Sequence, residues 1–304
     1  MECAIRHGTV AFSHQSIPNH IQAKTWYRII GSLDSGIRPL VVLHGGPGYT
    51  HAYLKPAFDL FSKKTSTPVI YYDQLGNGHS THLREKRLDE SFWTADLFVE
   101  ELNNLLQNLN VDQDFNLYGH SWGAMLAVKY AAHYQPRGLR NLILGSGPAS
   151  LELWKEAARS FIPLLPVEQQ EILRSHRIDH PLYGKALMAL NEATTLMKEP
   201  YPAELQESLD WLEKDDTVVT STNGPSDLVD AGSLGSLDVT PDCVHIHIPV
   251  LIISGSQDGA TAETIQPLYD GILDVKWIVM QEGSHMVHLQ DPNQYIDHIA
   301  DFLD

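Results

Sequence analysis

Cysteine, basic residues and long apolar runs are all scarce in this sequence of 304 residues. Its two cysteines, Cys3 and Cys243, are too few for a disulfide framework or a cysteine zinc site, so redox chemistry is not expected. Lys and Arg number 21 against 38 Asp and Glu, which gives a formal charge of −17. Nucleic acids and anionic lipid surfaces select for basic protein surfaces, so we expect neither as a partner.

The apolar stretches of the chain are short. The runs "PLVVL" and "VLIIS" are far below the roughly 20 residues needed to span a bilayer. The first residues, "MECAIRHGTVAF", contain no apolar core of a signal peptide. We therefore expect a cytoplasmic protein. With 43% hydrophobic and 19% charged residues, a chain of this length can bury a large core.

Short apolar runs that stop at glycine-bearing turns alternate with helical patterns in much of the chain, as in a mainly parallel sheet flanked by helices. One helical pattern puts Phe98, Leu102, Leu105 and Leu109 on a single face that should pack on the sheet. The predicted strands lie in "TVAFSH", "KTWYRIIG", "LVVLHGG", "VIYYDQLG", "FNLYGHS", "LRNLILGS", "PVLIISGSQD" and "VKWIVMQEGSH".

The pattern changes after Pro148. From there to about residue 240, helical segments follow one another, separated by prolines or polar breaks and without an intervening strand signal. We therefore predict an α/β core made of residues 1–147 and 241–304, with residues 148–240 inserted into it as a helical cap.

A serine flanked by glycines stands where strand character gives way to helix character. In "NLYGHSWGAML", Ser121 is either a nucleophile on a strained turn or an ordinary strand-end serine. Asp258 follows the predicted strand "PVLIISGSQ" and His285 follows "VKWIVMQEGS". The carboxyl ends of parallel strands gather catalytic groups, and the order Ser, Asp, His is the one that a nucleophile-elbow fold imposes on its triad. This joint placement favours the nucleophile.

The chemistry explains why these residue types are needed together. A serine hydroxyl is a poor nucleophile at neutral pH, so His285 would take its proton and later return it to the leaving group. Asp258 would hold the imidazole in the productive tautomer and stabilise its charged form. The glycine-rich turn "LHGGPG" is either a tight turn only or part of an oxyanion hole formed by the backbone N–H groups of Gly46 and Trp122. His44 would brace this turn.

Five short motifs resemble those of the proline iminopeptidase branch of the α/β-hydrolases, from about residue 40 to the C-terminus: "HGGPG", "DQLGNGHS", "GHSWGA", "GSQD" and "GSH". The resemblance implies an α/β-hydrolase fold. It also implies an enzyme that releases N-terminal residues, often proline, from short peptides, or that cleaves amino-acid amides. It implies the same triad and oxyanion roles as above, and a loop-ordering role for Asp73.

This family commonly binds the free amine of its substrate with two acidic residues. One directly follows the catalytic aspartate, and the other follows an Asn-Gly-Pro stretch of the cap. This sequence departs from that pattern at both positions. Here the first position is Gly259, and the second, in "NGPSDL", is Asp227, one methylene shorter than the family's glutamate. Asp227 is the candidate substrate-binding residue. The alternatives are hydrolysis of a non-peptide ester, lactone or amide in secondary metabolism, or a ligand-binding, non-hydrolytic protein of this fold.

The remaining polar clusters indicate no metal or cofactor site. The stretch "HIH" at 245–247 places two imidazoles on one face of a possible strand, without a third ligand at recognisable spacing. His288 is interpreted as a neighbour of His285. The acidic run from Glu213 to Asp216 is interpreted as a solvated helix end, with an amine-binding role left open. We expect a small-molecule or short-peptide substrate, and the oligomeric state stays open.

Overall fold

The computed structural model describes residues 4–18, 20–195, 200–226, 228–229 and 231–304. Within them, eight strands form one sheet. The strands are β1 (Ile5–Ala11), β2 (Lys24–Ile30), β3 (Leu40–Leu43), β4 (Val69–Asp73), β5 (Phe115–His120), β6 (Leu139–Gly145), β7 (Val250–Gly255) and β8 (Val275–Met280). Their spatial order is β1-β2-β4-β3-β5-β6-β7-β8.

The sheet is parallel except at one edge. Strands β1 and β2 pair antiparallel with each other, and β2 pairs antiparallel with β4, whereas all pairings from β4 through β3 to β8 are parallel. Strands β3, β4, β5 and β7 are buried along their whole length, which is why they read as continuous apolar runs. The predicted mainly parallel sheet is confirmed. Strand β1 begins at Ile5 instead of Thr9, because it pairs with β2 as far as Ile30.

Helices α1 (Lys55–Thr65), α2 (Ala95–Asn108) and α3 (Trp122–Tyr134) follow β3, β4 and β5. The predicted inner face of α2 is confirmed at Phe98, Leu102 and Leu105, which are fully buried. Leu109 lies one residue beyond the helix and is only half-buried, because Asn110 adopts a left-handed conformation (φ 57°) that ends the helical path. This face of α2 belongs to the hydrophobic core that covers one side of the sheet.

Between β6 and β7 the chain forms helices α4 (Leu151–Phe161), α5 (Val167–Arg174), α6 (Tyr183–Thr195), α7 (Ala203–Lys214) and α8 (Thr217–Asn223). Residues of α4, α5 and α6 bury a hydrophobic cluster of their own, separate from those on the sheet. Within the described part of this segment the only β-type pairing is a single bridge between Ser150 and Asp238. These helices lie over the carboxyl ends of the strands, where Trp154 meets the ring of His285.

Polar contacts attach this helical segment to the loops of the core. The Lys55 ammonium pairs with Glu207 of α7 at 2.9 Å. The Asp215 carboxylate accepts from His82 at 2.5 Å and from Arg84 at 3.2 Å, and its side chain is only 3% exposed. The interpretation of the acidic run as a solvated helix end is therefore wrong at Asp215, because hydrogen bonds from His82 and Arg84 of the core compensate for its burial.

Helices α9 (Ala262–Gly271), α10 (Val287–Gln290) and α11 (Pro292–Leu303) complete the fold. Residues of α2, α3 and α9 share one hydrophobic core on one face of the sheet. Residues of α1, α10 and α11 share a second core on the other face. None of the helices in the described ranges combines the length and the apolar character that crossing a membrane requires.

Candidate active site

Ser121 lies on a sharp turn between β5 and α3. Its backbone has φ 55° and ψ −120°, a conformation that non-glycine residues rarely adopt and that stores strain. The turn is possible because its flanking glycines touch other backbone. A Cβ built on Gly119 would lie 2.1 Å from the carbonyl oxygen of Gly123, and one built on Gly123 would lie 2.6 Å from that of Leu43. The spacing Gly-x-Ser-x-Gly is thus a steric requirement of this turn.

Asp258 and His285 meet above the ends of β7 and β8. The two atoms His285 Nδ1 and Asp258 Oδ1 are 2.7 Å apart, and both side chains are buried. The same carboxylate oxygen accepts the backbone N–H of Ala260 at 2.7 Å, which fixes its orientation. Because a carboxylate accepts, the Nδ1 atom carries the proton, and in the neutral ring Nε2 is left with a free lone pair. That lone pair is what a general base needs.

The serine and the histidine open onto the same cavity, of about 170 Å³. The core supplies its floor, and α4, α6, α7 and α8 supply the opposite wall. The predicted residues Ser121, His285 and Gly46 therefore come together here. The other lining residues are Pro47, Tyr49, Tyr53, His120, Trp154, Asn191, Thr194, Thr195, Leu212, Val219, Asn223 and Met286.

The glycine-rich turn after β3 is held by hydrogen bonds from two directions. His44 is buried, its Nδ1 atom lies 2.9 Å from the carbonyl oxygen of Gly45, and its Nε2 atom accepts the backbone N–H of Gln74 at 3.0 Å. Burial lowers the pKa of His44 to about 4, so the ring is neutral and one nitrogen can donate while the other accepts. The side chain of Gln74 also receives the indole N–H of Trp122 at 2.8 Å.

Gly46 lines the same cavity as Ser121, and Trp122 is the residue that directly follows Ser121. Gly46 has φ 112°, in the region that favours glycine, and a Cβ there would lie 2.6 Å from the nitrogen of Gly48. Trp122 is the first residue of α3, where backbone N–H groups have no acceptor in the preceding turn and the helix dipole favours negative charge. Gly46 itself therefore borders the cavity, and the N–H of Trp122 belongs to the residue next to the cavity-lining Ser121.

Asp73 organises the loop after β4. One of its carboxylate oxygens accepts the backbone N–H of His51 and its ring at 2.9 and 2.8 Å, and the other accepts the backbone N–H of His79 and its ring at 3.0 and 3.1 Å. Although burial opposes ionisation, the histidines hold the pKa of Asp73 far below its usual range. His51, Asp73 and His79 bring ligand-type atoms within 4.8 Å of one another. Each carboxylate oxygen is already used twice, so we interpret the group as structural.

The remaining histidines named from the sequence do not extend the site. In place of a strand, the stretch around "HIH" begins in a 3-10 helix, Thr240–His245, and both His245 and His247 are exposed. The possible strand is therefore wrong, because Pro241 starts a helical turn and the next strand begins only at Val250. His288 is fully buried behind His120, with ring centroids 4.7 Å apart.

Comparison with known proteins agrees with this geometry. A family model described as the α/β hydrolase fold matches residues 38–292. Proline iminopeptidase of Lactiplantibacillus plantarum is 31% identical over 284 residues, which cover 92% of this chain and 96% of that protein. The proline iminopeptidase of Lactobacillus acidophilus is 33% identical over 289 residues, covering 92% and 94%. The chain belongs to the proline iminopeptidase branch of the α/β-hydrolases.

Two solved structures have the same fold. Proline iminopeptidase of Mycobacterium smegmatis superposes with a TM-score of 0.83 at 33% identity, with 97% of each chain covered. The crystal structure of VinJ superposes with a TM-score of 0.88 at 38% identity, with 98% of each chain covered. The predicted fold class and the predicted family are therefore confirmed.

Within this branch the chain departs at the position after Asp258. A Cβ built on Gly259 would lie 2.9 Å from both the Cβ and the carbonyl oxygen of Thr194 on α6, so a side chain fits there only if the helix moves. The acidic group that the family resemblance implies is thus replaced by a close approach of α6. Asp227, the other candidate for binding a substrate amine, lies outside the described residues.

Sequence reasoning missed several residues that line the cavity. Trp154 lies on α4, and its ring centroid is 5.1 Å from that of His285. Tyr53 and His120 lie behind the serine turn and hydrogen-bond to each other at 2.9 Å. His120 had a signal, because it occupies the variable position of Gly-x-Ser-x-Gly. Trp154 and Tyr53 had none, because only tertiary packing brings them to the site.

Proposed function

We propose that the protein is a serine hydrolase that cleaves an amide through an acyl-enzyme, with Ser121 as nucleophile, His285 as general base and Asp258 as the group that orients it. The observation that carries the proposal is the buried 2.7 Å contact between His285 and Asp258 at the cavity where Ser121 stands on its strained turn. A serine, a base and an oriented partner in one cavity are the components of nucleophilic acyl transfer.

In the proposed first half-reaction, Ser121 Oγ attacks the substrate carbonyl carbon while its proton passes to His285 Nε2. The carbonyl oxygen becomes an oxyanion, which the backbone N–H groups of Gly46 and Trp122 stabilise. The tetrahedral intermediate collapses, the C–N bond breaks, and the proton on His285 moves to the departing amine. The acyl group then remains as an ester on Ser121.

In the second half-reaction, a water molecule attacks this ester and gives its proton to His285. The intermediate collapses with return of that proton to Ser121, and the acid product leaves. Asp258 keeps the Nδ1 proton of His285 in place and stabilises the charged ring in both halves. Substrate and water are the only molecules consumed, and Ser121 and His285 return to their initial state.

We further propose that residues 148–240 act as a cap on a core of residues 1–147 and 241–304. The described part of this segment supplies Trp154, Asn191 and Thr194 to the cavity. Contacts such as Thr50 Oγ1 to Ser208 Oγ at 2.9 Å link it to the core next to the oxyanion turn. The cap would thereby define which acyl group and which leaving group fit over Ser121.

The proposed substrate is an N-terminal aminoacyl or prolyl amide, as in short peptides or amino-acid amides. The names of its relatives support this class. Asp227 would pair with the free amine of the substrate. Removing one partner of a buried charge pair costs about 2–5 kcal/mol, so Asp227→Asn should lower kcat/KM for a prolyl arylamide substantially and leave a neutral ester nearly unaffected.

A second candidate function is favoured by the contact between Gly259 and Thr194. Because of this contact, neutral side chains occupy the position where the resemblance implies a carboxylate. Such a lining suits an ester, lactone or amide substrate without a free amine. Measuring kcat/KM for a prolyl arylamide and for its N-acetylated analogue, on the wild type and on Asp227→Asn, separates the two. If the wild type does not prefer the free amine, the aminopeptidase proposal fails and the second candidate replaces it.

A further inference from the structure

A chain of three hydrogen bonds runs behind the serine, from the oxyanion turn to the histidine loop. The backbone N–H of Gly45 donates to the hydroxyl oxygen of Tyr53 at 2.8 Å. The Tyr53 hydroxyl lies 2.9 Å from His120 Nδ1. The other ring nitrogen, His120 Nε2, lies 2.9 Å from the backbone carbonyl oxygen of His285. The chain thus joins the neighbour of Gly46 to the proposed general base itself.

Only one arrangement of protons satisfies all three bonds. The carbonyl oxygen of His285 can only accept, so His120 Nε2 carries a proton. Burial lowers the pKa of His120 to about 3, so the ring is neutral and Nδ1 accepts. Burial also raises the pKa of Tyr53, which therefore keeps its proton and donates it to Nδ1. The tyrosine oxygen remains free to accept from Gly45, and every bond has one donor and one acceptor.

The packing leaves this chain little freedom. Tyr53 is fully buried and His120 is 1% exposed. A Cβ on Gly45 would lie 3.0 Å from both the Tyr53 hydroxyl oxygen and the carbonyl oxygen of His120, so a larger residue there would have to displace one of them by a few tenths of an ångström. His288 packs against both rings, with centroids 4.7 Å from His120 and 5.4 Å from Tyr53. None of the three hydrogen bonds involves His288, which fills the space beside them.

We propose that Tyr53 and His120 are positioning residues that hold the oxyanion turn and the His285 loop at a fixed separation around Ser121. The inference rests on the proposed acyl-transfer function. Without the Tyr53 hydroxyl, the Gly45 N–H and His120 Nδ1 both lose their partner. The ring of His120 can then exchange its two tautomers, and in one of them it no longer donates to His285. The oxyanion turn and the His285 loop then both lose a hydrogen bond that fixes their position.

The test compares Tyr53→Phe with the matched control Tyr118→Phe. Tyr118 is also fully buried, and its hydroxyl makes one hydrogen bond, to that of Tyr295 at 2.8 Å. A fluorophosphonate probe reports the reactivity of Ser121, and p-nitrophenyl acetate reports kcat and KM. In Tyr53→Phe we expect the labelling rate and kcat to fall about 10- to 100-fold with KM within about twofold, as for misplaced catalytic groups. Tyr118→Phe should keep both rates while losing similar thermal stability.

Two further measurements test the role of His120: its tautomer and the effect of substituting it. The ring 15N shifts of His120 should show a neutral Nε2–H tautomer in the wild type and a mixture of tautomers in Tyr53→Phe. His120→Gln retains an amide donor and an amide acceptor, so it should label faster than His120→Leu. This pair decides the matter if Tyr53→Phe does not fold.

The positioning role is overturned if Tyr53→Phe labels within about twofold of Tyr118→Phe, if His120→Gln and His120→Leu are equally slow, or if wild-type His120 carries its proton on Nδ1. A different result identifies failure of the proposed function. If the wild type shows the expected tautomer but Ser121 does not label, the hydrogen-bond chain is real and the acyl-transfer assignment, with the positioning role, is wrong.

Discussion

Acid should destabilise this protein between pH 6.5 and pH 5, because three of its buried histidines stay neutral in the folded state. Three histidines, His44, His120 and His288, are buried to 1% exposure or less. Burial lowers the pKa of His44 to about 4 and that of His120 to about 3, and it holds the pKa of His288 well below 6.5. A depressed histidine pKa contributes stability that is complete above 6.5 and is lost as the pH falls from 6.5 toward the folded value, because only the unfolded chain then binds the proton.

The size of the effect follows from the proton balance. Each such histidine removes about 1.4 kcal/mol per pH unit well below its unfolded pKa, so the three remove about 5 kcal/mol between pH 6.5 and 5. Glu101 acts in the opposite direction, because burial raises its pKa from 4.5 to about 7 and the folded chain binds a proton that the unfolded chain lacks. It returns about 2 kcal/mol over this range. The net loss is about 3 kcal/mol.

Differential scanning calorimetry at pH 6.5 and at pH 5 measures this loss. An unfolding entropy of about 2.1 cal/mol/K per residue converts the net loss to a fall in Tm of about 5 °C for this chain. His288→Leu removes one buried imidazole and should halve the fall, whereas His247→Leu at an exposed position should leave it unchanged. A Tm that is constant or rises from pH 6.5 to pH 5 would refute the neutral buried histidines.

The remaining predictions concern single side chains. His285→Ala should lower kcat/KM by several orders of magnitude, whereas His288→Ala should keep most activity and lower Tm by opening a cavity; reversed effects on activity would mean that the base is misplaced. Gly259→Ala should destabilise the protein by about 1–3 kcal/mol in urea unfolding, because its Cβ would meet Thr194. Gly184→Ala, with nothing within 4 Å, should be neutral or stabilising, and equal effects at the two glycines would contradict the close approach of α6.

The parts of the fold that depend on local sequence patterns could be predicted from the sequence. Buried parallel strands read as apolar runs because both of their faces are covered, and the periodicity of α2 marked its inner face at Phe98 and Leu102. The juxtaposition of Asp258 with His285 was predictable as well, since the carboxyl ends of neighbouring parallel strands meet at one edge. Both residues follow adjacent strands, β7 and β8.

Features that depend on distant contacts were not predictable. Asp215 looks like any acidic residue at a helix end, and its burial depends on His82 and Arg84, which lie more than 130 positions earlier. The glycine at 259 signals only a missing carboxylate, and nothing in the sequence indicates that α6 occupies the space. The link from Gly45 through Tyr53 and His120 likewise joins three separate segments, so no spacing rule could reveal it.

Ser121 should form a covalent bond with the acyl group of the substrate. Intact-mass spectrometry after reaction with a fluorophosphonate, followed by peptide mapping, tests it most directly. We expect one adduct per chain, located on Ser121, and none in Ser121→Ala with an unchanged circular dichroism spectrum. Labelling of Ser121→Ala at the wild-type rate, or an adduct on another residue in the wild type, would contradict the assignment of Ser121 as the nucleophile.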